Sequence, residues 1–132
     1  MKVNRVIAAL MSAGLLLSSG ALMAHHSVSA EFDTNKRVTF TGTVKKIDWM
    51  NPHIYTHVEV KEGDSVIVYK VEGGAPNALY RQGIRPEMLP AGTVVTCTNC
   101  SRSKSAGSMN VNGRLTLPDG RAALGAPGGP QN

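Results

Sequence analysis

The side chains of this chain with the most chemistry to offer are four histidines and two cysteines. His25 and His26 follow Ala24, His53 follows Asn51-Pro52, and His57 lies four positions further on. Cleavage after Ala24 would make His25 the first residue and give it a free α-amine. That amine and Nδ1 of the same imidazole close a six-membered chelate on one metal ion. A histidine from the fold then completes three nitrogens in a plane, which suits Cu(II), the divalent ion at the top of the affinity order for nitrogen ligands. An α-amine has a free pKa of about 7.7–8, so giving up its proton to copper near neutrality costs little. His26 offers a competing mode through the amine, its own amide nitrogen and its imidazole. The plainer reading makes His25 and His26 a solvated start that merely suits the cleavage site.

His53 and His57 share strand parity with Tyr55 and Glu59, while Ile54, Val58 and Val60 take the opposite face. The two histidines therefore point the same way. Four residues at about 3.3 Å each set them roughly 13 Å apart, too far to grip one metal together. At most one joins His25, and His53 is favoured because it starts the strand beside the Asn51-Pro52 turn. The alternative makes His53 a turn residue whose ring bonds a backbone group and His57 a solvated surface histidine.

Cys97-Thr-Asn-Cys100 is a Cys-x-x-Cys motif. In an oxidising compartment its default is a local disulfide. Metal binding would need further ligands, and no second such motif exists. Thioredoxin-type chemistry wants the motif opening a helix after a strand, whereas here it closes a strand and enters a polar loop. The ranking is disulfide, then metal, then redox catalysis. Gly73-Gly74 before Pro76 offers backbone N–H groups to an anion, or simply a turn into a short helix. Trp49, Asn51 and Tyr55, with Gly73, Gly74 and Asn77, make a candidate ligand face, although a lone tryptophan is also a natural core residue. Lys45, Lys46, Arg81, Arg85, Arg102, Lys104, Arg114 and Arg121 read as solvated charge, with an anionic glycan or headgroup as the functional alternative. The acids Glu31, Asp33, Asp48, Glu59 and Glu72 form no motif, and no Ser-His-Asp order or phosphate loop appears.

Positioning these groups falls to strands. Residues 38–44 alternate apolar and polar, and then the phase flips, because Ile47 and Trp49 are odd-numbered while Val38, Phe40 and Val44 are even. Such a flip inside one strand predicts a β-bulge, and Gly42 marks a place to bend. Residues 54–60 and 66–72 predict two further strands joined at Glu62-Gly63-Asp64. Pro76 opens a short helix over 77–82 that stops at Gly83. Residues 93–98 and 109–117 supply strands four and five, with 101–108 as a polar loop between them. The expected fold is all-β with one short helix, a small five-stranded OB-like Greek-key barrel over residues 38–121. An open antiparallel sheet or small sandwich is the alternative. Residues 25–37 form an N-terminal arm, and residues 122–132, rich in Pro and Gly, a disordered tail.

The chain has 132 residues and a net charge of +5, enough for one domain. Residues 1–24 carry Lys2 and Arg5, then an apolar run and Ala-Leu-Met-Ala, the three-part layout of a secretory signal peptide. The apolar stretch is well short of the roughly 20 residues that span a bilayer, so no stable membrane span is expected after cleavage. The expected location is the periplasm, where nucleic acid is not an expected partner.

The phrases His25-His26-Ser27, Glu31-Phe32-Asp33, Gly42-Thr43-Val44, Trp49-Met-Asn51-Pro52-His53, Glu72-Gly73-Gly74-Ala-Pro76-Asn77-Ala-Leu79, Arg81-Gln-Gly83 and Leu117-Pro-Asp-Gly120 belong together. As a set they resemble a family of small exported proteobacterial proteins known as domain of unknown function 6152. The resemblance spans about residues 25–121 and implies an exported single domain of undetermined activity, with no catalytic residues to carry over. Cys97-Thr-Asn-Cys100 stands outside it. The expectation from the whole sequence is a non-catalytic periplasmic binding module for a small ligand, a glycan or an envelope protein. No motif demands a cofactor, and copper held by His25, His26 or His53 is the alternative.

Overall fold

The computed structural model describes residues 27–124. The expected signal peptide, His25, His26 and residues 125–132 of the expected tail lie outside the described residues. The chain divides into two compact units between Ala30 and Glu31. Of the first, only the helical turn α1 (Ser27–Glu31) is described, and its last residue opens the second unit.

The second unit is one seven-stranded sheet: β1 (Phe32–Asp48), β2 (Tyr55–Glu62), β3 (Ser65–Glu72), β4 (Val94–Ser103), β5 (Asn110–Asn112), β6 (Leu115–Thr116) and β7 (Ala122–Leu124). Two short helical pieces, α2 (Pro76–Arg81) and a 3-10 turn (Pro86–Met88), join β3 to β4. The sheet closes on itself. β1 pairs with β2, β2 with β3, β3 in parallel with β5, β5 with β4, and β4 returns to β1. The all-β class expected from the sequence holds, with seven strands in one sheet where five were expected. β6 and β7 hang from β4 outside that ring.

Ring closure requires β1 to serve two partners. Thr43 to Asp48 pair with β2, while Phe32 to Thr43 pair with β4. The phase flip expected near residue 45 is a bulge there: Val44 and Lys46 oppose Val58 and His57, so Lys45 is the extra residue. It keeps Val44 and then Ile47 on the inner face. A second bulge lies on β4, where Val38 and Phe40 oppose Cys100 and Cys97. The surplus residues sit inside the Cys-x-x-Cys motif, Asn99 takes a φ of 52°, and its N–H is bonded by Thr39 Oγ1 at 3.0 Å. The Cys97–Cys100 disulfide ties the two sides of this bulge together, and both cysteines are fully buried.

Several boundaries differ from those expected. The expected arm yields at Phe32, which is buried and begins β1. Residues 101–103, expected in a polar loop, continue β4, so the cysteines lie within a strand rather than at its end. The expected fifth strand is split at Gly113 into β5 and β6, and a Cβ at that position would collide with Cys100 Sγ. Ala122 to Leu124, expected to begin the tail, form β7, with Leu124 buried in the core.

The interior is lined by alternate residues of every strand. Val44, Val58, Val60, Val71, Val95 and Val111 fill it, and the rings of Phe40 and Tyr69 stack at 4.2 Å. Leu79 of α2 and Leu89 close over the side. Gly42 is the tightest point. A Cβ there would strike the Glu59 carbonyl oxygen and come within 2.8 Å of Val58 and Val60. Gly42→Ala should therefore cost about 1–3 kcal/mol of stability, as overpacking does. Urea unfolding of the variant beside wild type measures it; an unchanged midpoint would contradict this close approach.

Candidate functional site on the outer face of β2 and β3

The outer face of the sheet inherits its residues from the same register. Tyr55 opposes Glu72 across β2 and β3, and Glu72 opposes Asn112 across β3 and β5. Opposed residues share a face. The next inner row is Thr56, Val71 and Val111. One backbone pair extends the β2–β3 ladder, with Ile54 N–H on the Gly74 carbonyl at 3.1 Å and Gly73 N–H on the Ile54 carbonyl at 2.9 Å. His53 is thus delivered to the end of the row by the loop after β1, in which the Asn51-Pro52 peptide is cis.

Glu72 is the unusual member. It lies on the outward face yet is only 3% exposed. Its Oε1 accepts a hydrogen bond from His53 Nδ1 at 2.5 Å, a charge-assisted bond when the carboxylate is ionised. Burial pushes the Glu72 carboxyl above its ordinary value, His53 pulls it back, and Glu31 adds to the rise. Burial, then Glu72 and Glu31, push the Tyr55 hydroxyl up as well. Glu72 Oε2, Asn112 Nδ2 and Trp49 Nε1 are buried with no hydrogen-bond partner among the described residues. Groups of this kind typically cost about 1–3 kcal/mol each until something bonds them.

The bond to Glu72 sets the histidine's chemistry. With Nδ1 donating, the neutral ring of His53 carries its lone pair on Nε2, the arrangement by which a carboxylate orients a metal-binding or proton-accepting imidazole. The ring is 30% exposed. Its partner is a carboxylate, not the backbone group that the turn-stabilising reading expected.

His57 differs from expectation. It was expected to be solvated, and it is 6% exposed. The bulge at Lys45 brings Asp48 alongside, and His57 Nε2 donates to Asp48 Oδ2 at 2.7 Å while Lys46 Nζ holds Oδ1 at 2.7 Å. Lys46 and His57 together hold the Asp48 carboxyl below the ordinary carboxylate range. The two strand histidines thus serve different carboxylates. Among the described residues, no group of three His, Cys, Asp or Glu side chains is placed to hold one metal ion.

The other expected face residues are scattered around this row. Trp49 is half-buried and meets Tyr80 of α2 edge-on at 5.5 Å. The Arg85 guanidinium lies 4.7 Å from the centre of the Tyr80 ring. Asn51 is exposed in the loop, and Asn77 is exposed in the first turn of α2, where its carbonyl accepts from Arg81 Nε at 3.2 Å. Gly73 is buried with its N–H spent on Ile54, so it offers no donor to an anion. It is glycine because a Cβ would meet Ile54 Cγ1 at 2.6 Å. Of the basic residues, Lys45 pairs with Glu59 at 2.9 Å and Arg121 with Asp119 at 2.8 Å. Glu72, Asp48 and Tyr80 were not singled out from the sequence. A two-residue turn at Gly63-Asp64 sets Glu62 against Ser65 and, seven positions on, Tyr55 against Glu72; that count was the signal available.

Fold and site together define a small all-β domain with a closed sheet and a polar, partly buried carboxylate–histidine face. No helix among the described residues is long and apolar enough to cross a membrane. The chain belongs to the family of unknown function DUF6152, whose model matches residues 13–110. No curated protein and no solved structure matches it.

The raised Glu72 carboxyl has a consequence for stability. Between its ordinary value and the raised one, the folded chain keeps a proton that the unfolded chain has lost. Stability contributed by this group therefore falls as pH rises through that window. Glu72→Gln should flatten the decline. Urea midpoints from about pH 4 to pH 7, spanning the ordinary carboxylate value upward, compare the two proteins. Parallel wild-type and variant curves would contradict the assignment.

Proposed function

We propose that this protein is an exported, non-catalytic binding module that takes a small polar ligand, a glycan or an envelope partner on the outer face of β2 and β3. The observation that carries the reading is the His53–Glu72 pair: a buried carboxylate spends one oxygen orienting an imidazole and leaves the other without a partner. Such an arrangement costs folding energy and is recovered by a bound group. OB-type sheets bind oligosaccharides and oligonucleotides with this same face and with the loop between strands one and two, an analogy at the level of fold. Export is supported by the layout of residues 1–24. It is also supported by a disulfide, which persists in oxidising compartments.

Copper is the second reading, favoured by one feature of the same pair. Nδ1 of His53 is held by a carboxylate and Nε2 is left as the ligating nitrogen, as in most histidine metal ligands. Glu31 acts electrostatically on Glu72, and His25 precedes Glu31 by six residues in the sequence. In this reading the α-amine and imidazole of His25 join His53 Nε2 around Cu(II), with His26 in reserve.

Trp49 is the only tryptophan, so its emission reports on this face. Titration of the mature chain with N-acetylglucosamine oligomers, muramyl dipeptide and Cu(II) should produce a saturable change with at least one probe. His53→Ala should abolish it. For copper, the change and an all-nitrogen EPR spectrum should also vanish when one extra glycine precedes His25. Responses indifferent to His53→Ala would remove the function from this face.

A further inference from the structure

The inner row of Thr56, Val71 and Val111 continues onto β4 and β1. Val111 opposes Arg102, and Arg102 opposes Asp33. Opposed residues share a face, so an arginine follows three interior positions close to the end of β4 at Ser103. Its charge is felt at the buried Tyr69 hydroxyl, where it opposes the rise caused by burial and by Glu62. Arg102 is half-buried, and its guanidinium makes no ion pair and no hydrogen bond among the described residues. Asp33, its neighbour on the row, is engaged elsewhere. Its Oδ1 accepts the Asn35 N–H at 2.9 Å, and its Oδ2 lies 4.0 Å from Lys36 Nζ. An arginine partly withdrawn from water without a partner costs folding energy until an anion meets it.

Arg102 lines a cavity of about 300 Å³ with Lys36 and Lys104, and none of the residues lining it is acidic. Ser103, Ser105 and Ser108 add hydroxyls to its wall. Ser103 Oγ accepts the Ser105 N–H at 3.2 Å, and Ser108 Oγ accepts the Asn110 N–H at 3.2 Å. A hydroxyl that accepts a backbone N–H keeps its own proton to donate. The wall therefore offers cations and hydroxyl donors together. We propose that this cavity binds a phosphate group, with Arg102 as its main ligand. The guanidinium is a planar fork that meets two phosphate oxygens at once, and the lysines add point charges. Three cations line the cavity and Asp33 offsets one of them. A phosphate monoester, close to a dianion at neutral pH, matches the remainder, and a single carboxylate does not. A soluble phosphate and the headgroup of phosphatidic acid present the same oxygens. The site uses neither His53 nor Glu72 and stands independently of the function proposed for them.

Two probes test the site at fixed ionic strength. Inorganic phosphate is titrated into the mature chain by calorimetry, and vesicles of phosphatidylcholine with and without phosphatidic acid are sedimented with it. Saturable binding to at least one probe is expected. Phosphate bound in solution identifies a soluble ligand, and sedimentation only with phosphatidic acid identifies a headgroup. Arg102→Gln should weaken binding by about tenfold or more. It should fold at least as stably as wild type, because it removes an unpaired charge, and circular dichroism checks this. Arg121→Gln removes the same charge from an exposed residue outside the cavity and should leave binding unchanged. His53→Ala should also leave it unchanged, which separates this site from the face of β2 and β3. Asp33→Asn keeps an acceptor for the Asn35 N–H and removes the competing charge, so it should tighten binding. Binding of neither probe, with phosphate raised to about 10 mM, overturns the proposal. So does a loss shared equally by Arg102→Gln and Arg121→Gln, which would mean diffuse charge rather than a site.

Discussion

Everything in the sheet depends on one strand being shared. β1 must lie against β4 along its first part and β2 along its last, or the sheet does not close. A regular strand of 17 residues cannot turn its side chains inward along such a path, because twist accumulates and the inner face drifts. Three local devices solve this. Gly42 lets the two partners approach where the strand changes allegiance, the extra residue Lys45 resets the alternation, and the surplus around Asn99 lets β4 follow the curve. The disulfide then holds the second bulge in place. Its physical task here is local geometry, since a crosslink across so few residues removes little entropy from the unfolded chain.

The polar outer face is a by-product of those devices. Without the bulge at Lys45, Asp48 would fall on the inner face and His57 would face no carboxylate. With it, Lys46 and Asp48 turn outward beside His57 and Tyr55. The row continues through Glu72 to Asn112, so charged and amide groups are lined up across four strands. Two carboxylates on this row have opposite fates. Asp48 lies near the surface, bonded by two cationic groups, and its charged form is favoured. Glu72 is enclosed, faces another carboxylate in Glu31, and has one histidine to offset its burial. Pushing apart the proton affinities of neighbouring acids in this way is how sites are distinguished from decoration.

Local pattern made the strands and the first bulge legible, because both are written in the alternation of apolar residues around Val44 and Ile47. The helix was legible from Pro76 and Gly83. What escaped notice was non-local. Phe32 looks like an arm residue until β4 is seen to run to Ser103, which pairs with it across a second register shift on β1 between Asp33 and Arg37. Ala122 to Leu124 look like a tail because three residues carry no periodicity, yet β6 gives them a partner. His57 looked solvated because its parity is outward; its burial depends on Asp48, which only the bulge brings near. Glu72 is an undistinguished acid in the sequence, and its character comes from being opposite Tyr55 and beneath His53. Parity tells which face a residue takes, and only the completed ring tells whether that face is covered.

β3 shows why coverage matters more than face. Its last residues are flanked on both sides, and there an outward carboxylate becomes buried and reactive in its protonation. Its first residues are flanked on one side, and there Val66 stays exposed while Val68 is half-buried. The chemistry of the strand follows from where β5 begins. That point is set by the loop after β4, whose residues 104–109 bring Met109 onto Lys70. A longer β5 would have sealed the edge and left no open main-chain groups at Val66 and Val68. A shorter one would have uncovered Glu72 and returned its carboxyl to ordinary behaviour. The three-residue β5 thus divides a single strand between a buried carboxylate–histidine pair and an edge that no described strand covers.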